Sequence, residues 1–190
     1  LGRPKAGLFQ TTVPFSQSPE TYAVAFDREK GTVVWKSPAF GLPSYVSPMI
    51  TTLAGVEQCV VLAASSKDNK IPSTCAGLNL ADGSVLWKYE GWSCWIPIPN
   101  PTPLGNDKLF ITAAYNAGSV AIQIVKGDKG LEAKELYKLD AKTAEGHIQQ
   151  PIVYKDHIYM SSCSNERLSG LTCLDLDGKR LWNTKETNEP

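Results

Sequence analysis

The stretch Gly77-Leu78-Asn79-Leu80-Ala81-Asp82-Gly83-Ser84-Val85-Leu86-Trp87-Lys88 decides how this chain folds. An alternating apolar segment leads into a turn that contains Gly83, and a second short apolar segment ends in Trp87. Short runs of this kind, bounded by Gly, Asn and Asp, predict two antiparallel strands joined by a tight turn.

The same motif occurs twice more, each time with a predicted strand, a turn that contains Gly and a final Trp. The copies are Ala25–Lys36, with Asp27, Gly31 and Trp35, and Cys173–Asn183, with Gly178 and Trp182. The Trp residues are 52 and then 95 residues apart. The longer interval predicts a degenerate copy of the motif between Trp87 and Trp182, in which Leu136-Tyr137 replaces the Trp. Units of about 40–50 residues made of short strands are typical of β-propeller blades.

Each unit reads as four antiparallel strands, of which the innermost follows a Pro. We therefore predict an all-β fold, a partial β-propeller of about four blades in a single domain spanning 1–190. The predicted blades are 1–36, 47–89, 101–139 and 149–184, and the first lacks its innermost strand while Leu8–Val13 supplies its second. The composition of Leu131–Leu139 favours a helix, but the register of the units assigns it to an outer strand.

The phrase Ala25-x-Asp27-x-x-Lys30-Gly31-x-x-x-Trp35 resembles the quinoprotein-like (PQQ-like) β-propeller repeat, whose pattern is A-x-D-x-x-T-G-x-x-x-W. The resemblance implies that the Trp packs between adjacent blades and that the Asp and Gly shape the turn before the outer strand. Packing between blades is also expected on physical grounds, since a four-stranded sheet buries a large flat side chain by stacking on a neighbouring sheet. The residues with this structural role are Asp27, Gly31, Trp35, Gly83, Trp87, Gly178 and Trp182.

The resemblance also implies a ring of seven or eight blades, of which four units fill about half. The expected partner is therefore the remainder of a longer propeller or a second copy of the chain, and the alternative is a tight ring of four blades. Residue 1 is Leu rather than Met, which is expected of a processed or excised piece. Many relatives in the family are uncharacterised exported bacterial proteins, so an exported or periplasmic location is expected.

The bulk composition narrows the classes of partner. The chain has 19 basic and 19 acidic residues and no run of like charge, so no broad basic surface for nucleic acid is expected. No apolar stretch approaches the roughly 20 residues that span a bilayer, so no membrane span is expected.

Ligand-binding candidates lie in the connections between units, which a propeller gathers on one face. They are Tyr45, Trp92, Trp95, His147, Gln149 and Gln150. Aromatic and amide side chains hold a sugar, a peptide or a flat ring. The alternative is that Trp92 and Trp95 pack a Pro-rich corner, and that His147 is an ordinary loop residue unless a carboxylate such as Glu145 adjoins it.

Five cysteines leave the redox state open. Two pairs of cysteines flank the predicted hairpins, Cys59 with Cys75 and Cys163 with Cys173. Each pair forms a disulfide if its members face each other, and Cys94 then has no disulfide partner. An exported protein favours such bridges. The alternative is five buried thiols.

Three functions follow from these observations. The first is a non-catalytic scaffold that binds a protein or glycan, because no catalytic constellation, metal site or cofactor site is complete in the sequence. The second, implied by the resemblance, is part of a PQQ-dependent alcohol dehydrogenase-like oxidoreductase with PQQ and Ca²⁺. The sequence lacks the adjacent Cys pair and the Ca²⁺ loop of those enzymes. The third is a carbohydrate-binding propeller.

Overall fold

The computed structural model describes residues 6–12, 21–163 and 169–185; the side chains of residues 6–12, 163 and 169 are outside the description. Fifteen strands form four antiparallel sheets, and no helix occurs in these ranges. The all-β prediction is therefore confirmed. No helix with the length and hydropathy needed to cross a membrane is found in the described residues.

The strands of each sheet lie side by side in chain order. Sheet I contains β1 (Ala6–Thr12), β2 (Thr21–Asp27) and β3 (Val33–Lys36). Sheet II contains β4 (Met49–Leu53), β5 (Val56–Ala63), β6 (Thr74–Asn79) and β7 (Val85–Tyr89). Sheet III contains β8 (Thr102–Gly105), β9 (Lys108–Ala113), β10 (Gly118–Gly127) and β11 (Gly130–Leu139). Sheet IV contains β12 (Ile152–Tyr154), β13 (His157–Cys163), β14 (Ser169–Asp175) and β15 (Arg180–Asn183).

Two uncertain segments are settled by this topology. Leu131–Leu139 lies in β11 and is a strand, as the register of the units predicted. The predicted strand Leu8–Val13 corresponds to β1, which pairs with β2 from Ala6 to Thr12; Val13 lies outside the described residues.

Three apolar clusters pack the sheets face to face in chain order. The first junction joins sheets I and II through Ala23, Ala25, Trp35, Cys59, Val61 and Leu78. The middle junction joins sheets II and III through Val60, Leu62, Trp87, Leu109, Ile111 and Ile122. The last junction joins sheets III and IV through Phe110, Ala121, Ile158, Met160 and Leu174. Because sheets II and III are covered on both faces, β5 carries the unbroken apolar run Cys59–Ala63 instead of an alternating pattern.

A one-residue bulge precedes the aromatic residue of the last strand in every sheet. The residues left out of the pairing register are Val34, Leu86, Leu136 and Leu181. The next residues, which pair with the neighbouring strand, are Trp35, Trp87, Tyr137 and Trp182. A bulge bends its strand and re-aims the side chain beside it. Tyr137 therefore occupies the pairing position that Trp takes in the other three sheets.

The first and last junctions share one contact, in which this aromatic residue covers the Gly turn of the next sheet. Trp35 Nε1 donates to the carbonyl of Leu80 at 2.9 Å, and a Cβ added to Gly83 would lie 2.5 Å from the Trp35 ring. In the last junction, the Tyr137 hydroxyl donates to the carbonyl of Leu176 at 3.1 Å. A Cβ added to Gly178 would lie 2.6 Å from that ring.

The covered turns have a common local structure. Asn79 Oδ1 accepts the Ala81 N–H at 3.0 Å, and Asp175 Oδ1 accepts the N–H groups of Asp177 and Lys179 at 3.0 and 2.8 Å. Gly83 and Gly178 follow in the left-handed region, with φ of +74° and +86°, where an L side chain is strained. In sheet I, Asp27 Oδ1 accepts the N–H groups of Glu29 and Lys30, both at 2.9 Å, before Gly31.

The middle junction is built differently. Trp87 is 3 % exposed and its Nε1 donates to Oε1 of Gln58, which belongs to its own sheet. Gln58 in turn donates through Nε2 to the carbonyls of Leu53 and Val56. Across the junction, the Tyr89 hydroxyl donates to Glu135 Oε2 at 2.5 Å.

Trp182 differs from the other aromatic residues of this set. It lies on the outer face of sheet IV, beside Tyr159 with ring centroids 6.1 Å apart, and is 39 % exposed. The packing between sheets that the resemblance implies is therefore found for Trp35 and Trp87, while Trp182 has no covering sheet among the described residues.

The predicted disulfides are wrong for the described cysteines. Cys59 packs in the first junction and Cys75 in the middle junction, on opposite faces of sheet II, and both are free thiols. Cys173 is also free; its register partner is Tyr159, whereas Cys163 pairs with Ser169. Cys163 therefore lies four residues, or about 13 Å, along β13 from the partner of Cys173, which is beyond the Cα separation of about 4.4–6.8 Å that a disulfide needs. Cys94 is a fourth free buried thiol.

Candidate ligand-binding site

Four loops place a row of side chains on one side of the molecule, where strands of sheets II and III end. Lys67 comes from the loop between β5 and β6, Trp95 from the connection after β7, Tyr115 from the turn between β9 and β10, and His147 from the connection after β11. These four residues are called the aromatic row. The row thus combines side chains from the connections between sheets, where the sequence predicted ligand-binding residues, with side chains from loops between the second and third strands of a sheet.

The members of the row contact one another in sequence order. Lys67 Nζ lies 4.4 Å from the centre of the Trp95 ring, a cation–π distance. The Trp95 and Tyr115 ring centroids are 5.2 Å apart with the planes tilted by 52°. Tyr115 and His147 meet edge to face at 5.5 Å, and the Tyr115 hydroxyl lies 3.4 Å from His147 Nε2.

The turn that carries Tyr115 is strained and firmly held. Tyr115 and Asn116 have φ of +65° and +66°, and the Ala117 N–H donates to the Ala114 carbonyl at 3.3 Å. Two positive φ values are those of a type I′ hairpin turn, and Tyr is a rare occupant of that region. Glu145, which is 1 % exposed, accepts the Asn116 N–H at 2.6 Å. This buried carboxylate stabilises the conformation that projects Tyr115 outward.

Trp92 supports the same turn from inside. It is 6 % exposed, packs in the middle junction, and donates through Nε1 to the Ala117 carbonyl at 2.9 Å. The structure therefore places Trp92 in the core, as the packing alternative described, and its ring is not available to a ligand.

Trp95 is positioned by the residue before it. The Cys94 N–H donates to Ser73 Oγ at 2.9 Å, and the Cys94 carbonyl accepts the Ser73 hydroxyl at 3.0 Å and the Ser65 N–H at 2.9 Å. The connection is thus fixed to the β5–β6 loop immediately before Trp95. Trp95 and Tyr115 remain 37 % and 39 % exposed, so both present ring surface to solvent.

The other predicted candidates lie outside the row on the same side of the molecule. Tyr45 is 75 % exposed, and its N–H donates to the Pro97 carbonyl at 3.3 Å, outside the row. Gln149 and Gln150 are exposed and follow His147 in the same connection. Of the six predicted residues, the structure brings together Trp95 and His147.

Sequence reasoning missed Lys67 and Tyr115. Both lie in loops between the second and third strands of a sheet, on the same side of the molecule as the connections between sheets. The dipeptide Tyr115-Asn116 between apolar strands also carried a turn signal, although Tyr in place of Gly weakens it.

The row offers two aromatic faces, one cation and one imidazole, with no carboxylate among its members. Glu145, the acid nearest to His147 in sequence, uses Oε1 to hold the Asn116 turn. Such a set of groups stacks on flat or apolar ligand surfaces and donates hydrogen bonds to polar ones. In the described residues, no group of three or more His, Cys, Asp and Glu side chains is arranged to hold a metal ion.

Neither the comparison with protein-family models nor the comparison with curated proteins gives a match to this chain.

Proposed function

We propose that this chain is a four-bladed portion of a β-propeller of the PQQ-like repeat type, and that it acts as a non-catalytic binding scaffold in an exported bacterial protein. Four antiparallel sheets packed face to face in chain order support the fold, as does the bulge before the aromatic residue of each last strand. In this proposal sheets I to IV are consecutive blades.

The observation that carries the binding function is the aromatic row. Its rings come from three separate connections, yet they lie in contact and remain partly exposed. Exposed aromatic residues on a rigid support are a common means of binding, because two torsion angles per side chain limit the entropy lost on binding. The Glu145 and Trp92 hydrogen bonds to the Tyr115 turn supply that support.

The ligand that the row fits is a glycan or a peptide with an apolar surface. The exposed parts of Trp95 and Tyr115 stack on the apolar face of a sugar ring or on an aromatic side chain, while Lys67 and His147 donate hydrogen bonds to hydroxyl or carbonyl oxygens. The tilt of 52° between the Trp95 and Tyr115 rings favours a ligand that bends between two stacking surfaces.

The test is a binding screen of the whole chain against a glycan array and a displayed peptide library, followed by calorimetric titration of the hits. We expect Trp95→Ala and Tyr115→Ala each to weaken binding by about 10-fold or more, as for other aromatic contacts at a binding site. Tyr45→Ala is the matched control, because Tyr45 is an exposed aromatic residue outside the row. Binding that neither row variant weakens contradicts the proposal.

A further inference from the structure

The outer face of sheet IV is apolar, and no described sheet covers it. Trp182, Ile152, Tyr154 and Leu171 are exposed by 39, 66, 58 and 42 %, and these four residues with Tyr159 are called the Trp182 face. The register aligns Ile152, Tyr159, Cys173 and Trp182 across the four strands, so their side chains lie on one side of the sheet.

At the opposite end of the stack, sheet I presents a Gly turn that no described residue covers. Residues 28–32 are exposed, and Gly31 has φ of +66°. A Cβ added to Gly31 would meet no atom of the described residues within 4 Å. The corresponding residues Gly83 and Gly178 lie beneath Trp35 and Tyr137.

The two ends are therefore complementary halves of a contact that the chain makes twice within itself. Within the described part of the chain, the Trp182 ring of sheet IV has no Gly turn over which to pack, and the Gly31 turn of sheet I has no aromatic ring over it. In both internal copies, the aromatic donor binds the carbonyl that follows the Asx residue of the turn, which is Leu80 or Leu176. The residue at that position in sheet I is Arg28, after Asp27.

We infer that the Trp182 face binds the Gly31 turn of a second copy of this chain. Trp182 Nε1 donates to the Arg28 carbonyl of the other copy, and the indole ring lies over its Gly31. The new interface continues the stack of sheets beyond sheet IV with the contact of the first and last junctions. This contact repeats the packing of the first and last junctions and does not involve the aromatic row.

A second copy supplies the required surface, because the contact needs a sheet with an Asx residue and an exposed Gly turn, and sheet I has both in Asp27 and Gly31. The chain's own sheet I does not fill this role, since Trp182 and residues 28–32 are exposed in the same molecule. The contact is heterologous: a different surface is used on each copy. Such contacts close into a ring when the rotation permits, and otherwise continue as a chain of copies.

Sedimentation equilibrium of the whole chain, from micromolar to millimolar concentration, tests the inference. We expect reversible association that Trp182→Ala weakens by about 30-fold or more, the effect typical of a central interfacial Trp. Gly31→Asn should weaken it to a similar extent, because Asn tolerates a positive φ but places a side chain where the ring must lie. Thermal unfolding of both variants shows whether each monomer remains folded.

Two further samples fix the geometry. Tyr45→Ala, which removes an exposed aromatic side chain away from both ends, should associate like the unmodified chain. A mixture of Trp182→Ala with Gly31→Asn should associate more strongly than either alone, because one intact face remains on each. A chain that stays monomeric throughout overturns the inference. So does association that survives Gly31→Asn, which indicates that two Trp182 faces pair with each other.

Discussion

The first and middle junctions each bury a Trp from the same place in a sheet, but the two indoles bind different partners. Trp35 reaches the Leu80 carbonyl of the next sheet, whereas Trp87 binds Gln58 of its own sheet. The reason lies in the sheet that follows. Sheet II offers Trp35 a tight turn with Gly83, while sheet III replaces that turn with the long β10–β11 hairpin, which turns at Asp128-Lys129.

The last junction has Tyr137 where the first junction has Trp35. The Tyr137 ring still covers a Gly, Gly178, and its hydroxyl still donates a hydrogen bond to the next sheet. The junction contact therefore depends on a flat ring with a polar donor at its far edge and on a Gly beneath it. The identity of the aromatic residue is secondary.

The largest expected effect distinguishes the two buried Trp residues. Trp87→Ala should lower the free energy of unfolding by about 3–5 kcal/mol, because it opens a cavity in the core and removes the donor to buried Gln58 Oε1. Trp35→Ala should cost about 1 kcal/mol less, because the Leu80 carbonyl is only partly buried and water can replace the lost donor. Urea unfolding of both variants measures the difference. An equal or larger loss for Trp35→Ala contradicts this account of the junctions.

A pair of glycine variants separates the destabilisation caused by backbone strain from that caused by a clash with the covering Trp35 ring. Gly83→Ala should lower the free energy of unfolding by about 2–3 kcal/mol, since it combines a positive φ with a clash against Trp35. Gly31→Ala is the matched control, with φ of +66° and open space around the new Cβ, and should cost about 1 kcal/mol from strain alone. Equal losses in urea unfolding would show that the ring does not press on Gly83.

Removing one hydroxyl tests the last junction. Tyr137→Phe keeps the ring over Gly178 and deletes only the donor to Leu176, so the expected loss is about 0.5–1.5 kcal/mol. Urea unfolding again gives the measurement, with Tyr45→Phe as the control because Tyr45 is 75 % exposed. No loss for Tyr137→Phe would assign the whole contact to the ring.

The smallest effect concerns the hydrogen bond between Tyr89 and Glu135 in the middle junction. The Tyr89 hydroxyl holds the pKa of Glu135 below its ordinary value, so the contribution to stability is present above that value of about 4.3 and is lost as the pH falls. Burial and this same bond raise the pKa of Tyr89, so its contribution is present below about pH 10 and is lost as the pH rises.

Tyr89→Phe should therefore lower the free energy of unfolding by less than about 1 kcal/mol at neutral pH, since Glu135 is 39 % exposed and screened by solvent. The difference between the variant and the unmodified chain should shrink at acid pH, when Glu135 is protonated in both folded and unfolded chains. Urea unfolding at neutral and acid pH provides the comparison. A difference that stays constant with pH would exclude the carboxylate as the partner that matters.

The strand order could be predicted because it depends on local patterns that the chain repeats. Each Gly turn lies between apolar segments, and the register of the units was enough to assign Leu131–Leu139 to a strand against its composition. The position of Tyr137 followed from spacing alone. Such signals act over a few residues and do not require knowledge of the packed structure.

The candidate site was harder to predict from the sequence than the strands, because it depends on contacts between connections that are distant in the chain. Nothing in the local sequence states that Trp92 points inward to Ala117 while Trp95, three residues later, points out to Tyr115. The cysteine pairing failed for a related reason. Cys59 and Cys75 lie close across one hairpin in sequence, but the parity of the register places them on opposite faces of the sheet.

That opposition gives the chain two natural reporters of local opening. Burial raises the pKa of the Cys59 thiol to about 12 and raises the pKa of Cys75 as well, so each remains protonated and protected from alkylation while its own junction is closed. Cys59 becomes reactive when sheets I and II separate, and Cys75 when sheets II and III separate. Labelling rates of the two thiols therefore rank the opening of adjacent sheets within one unmodified molecule.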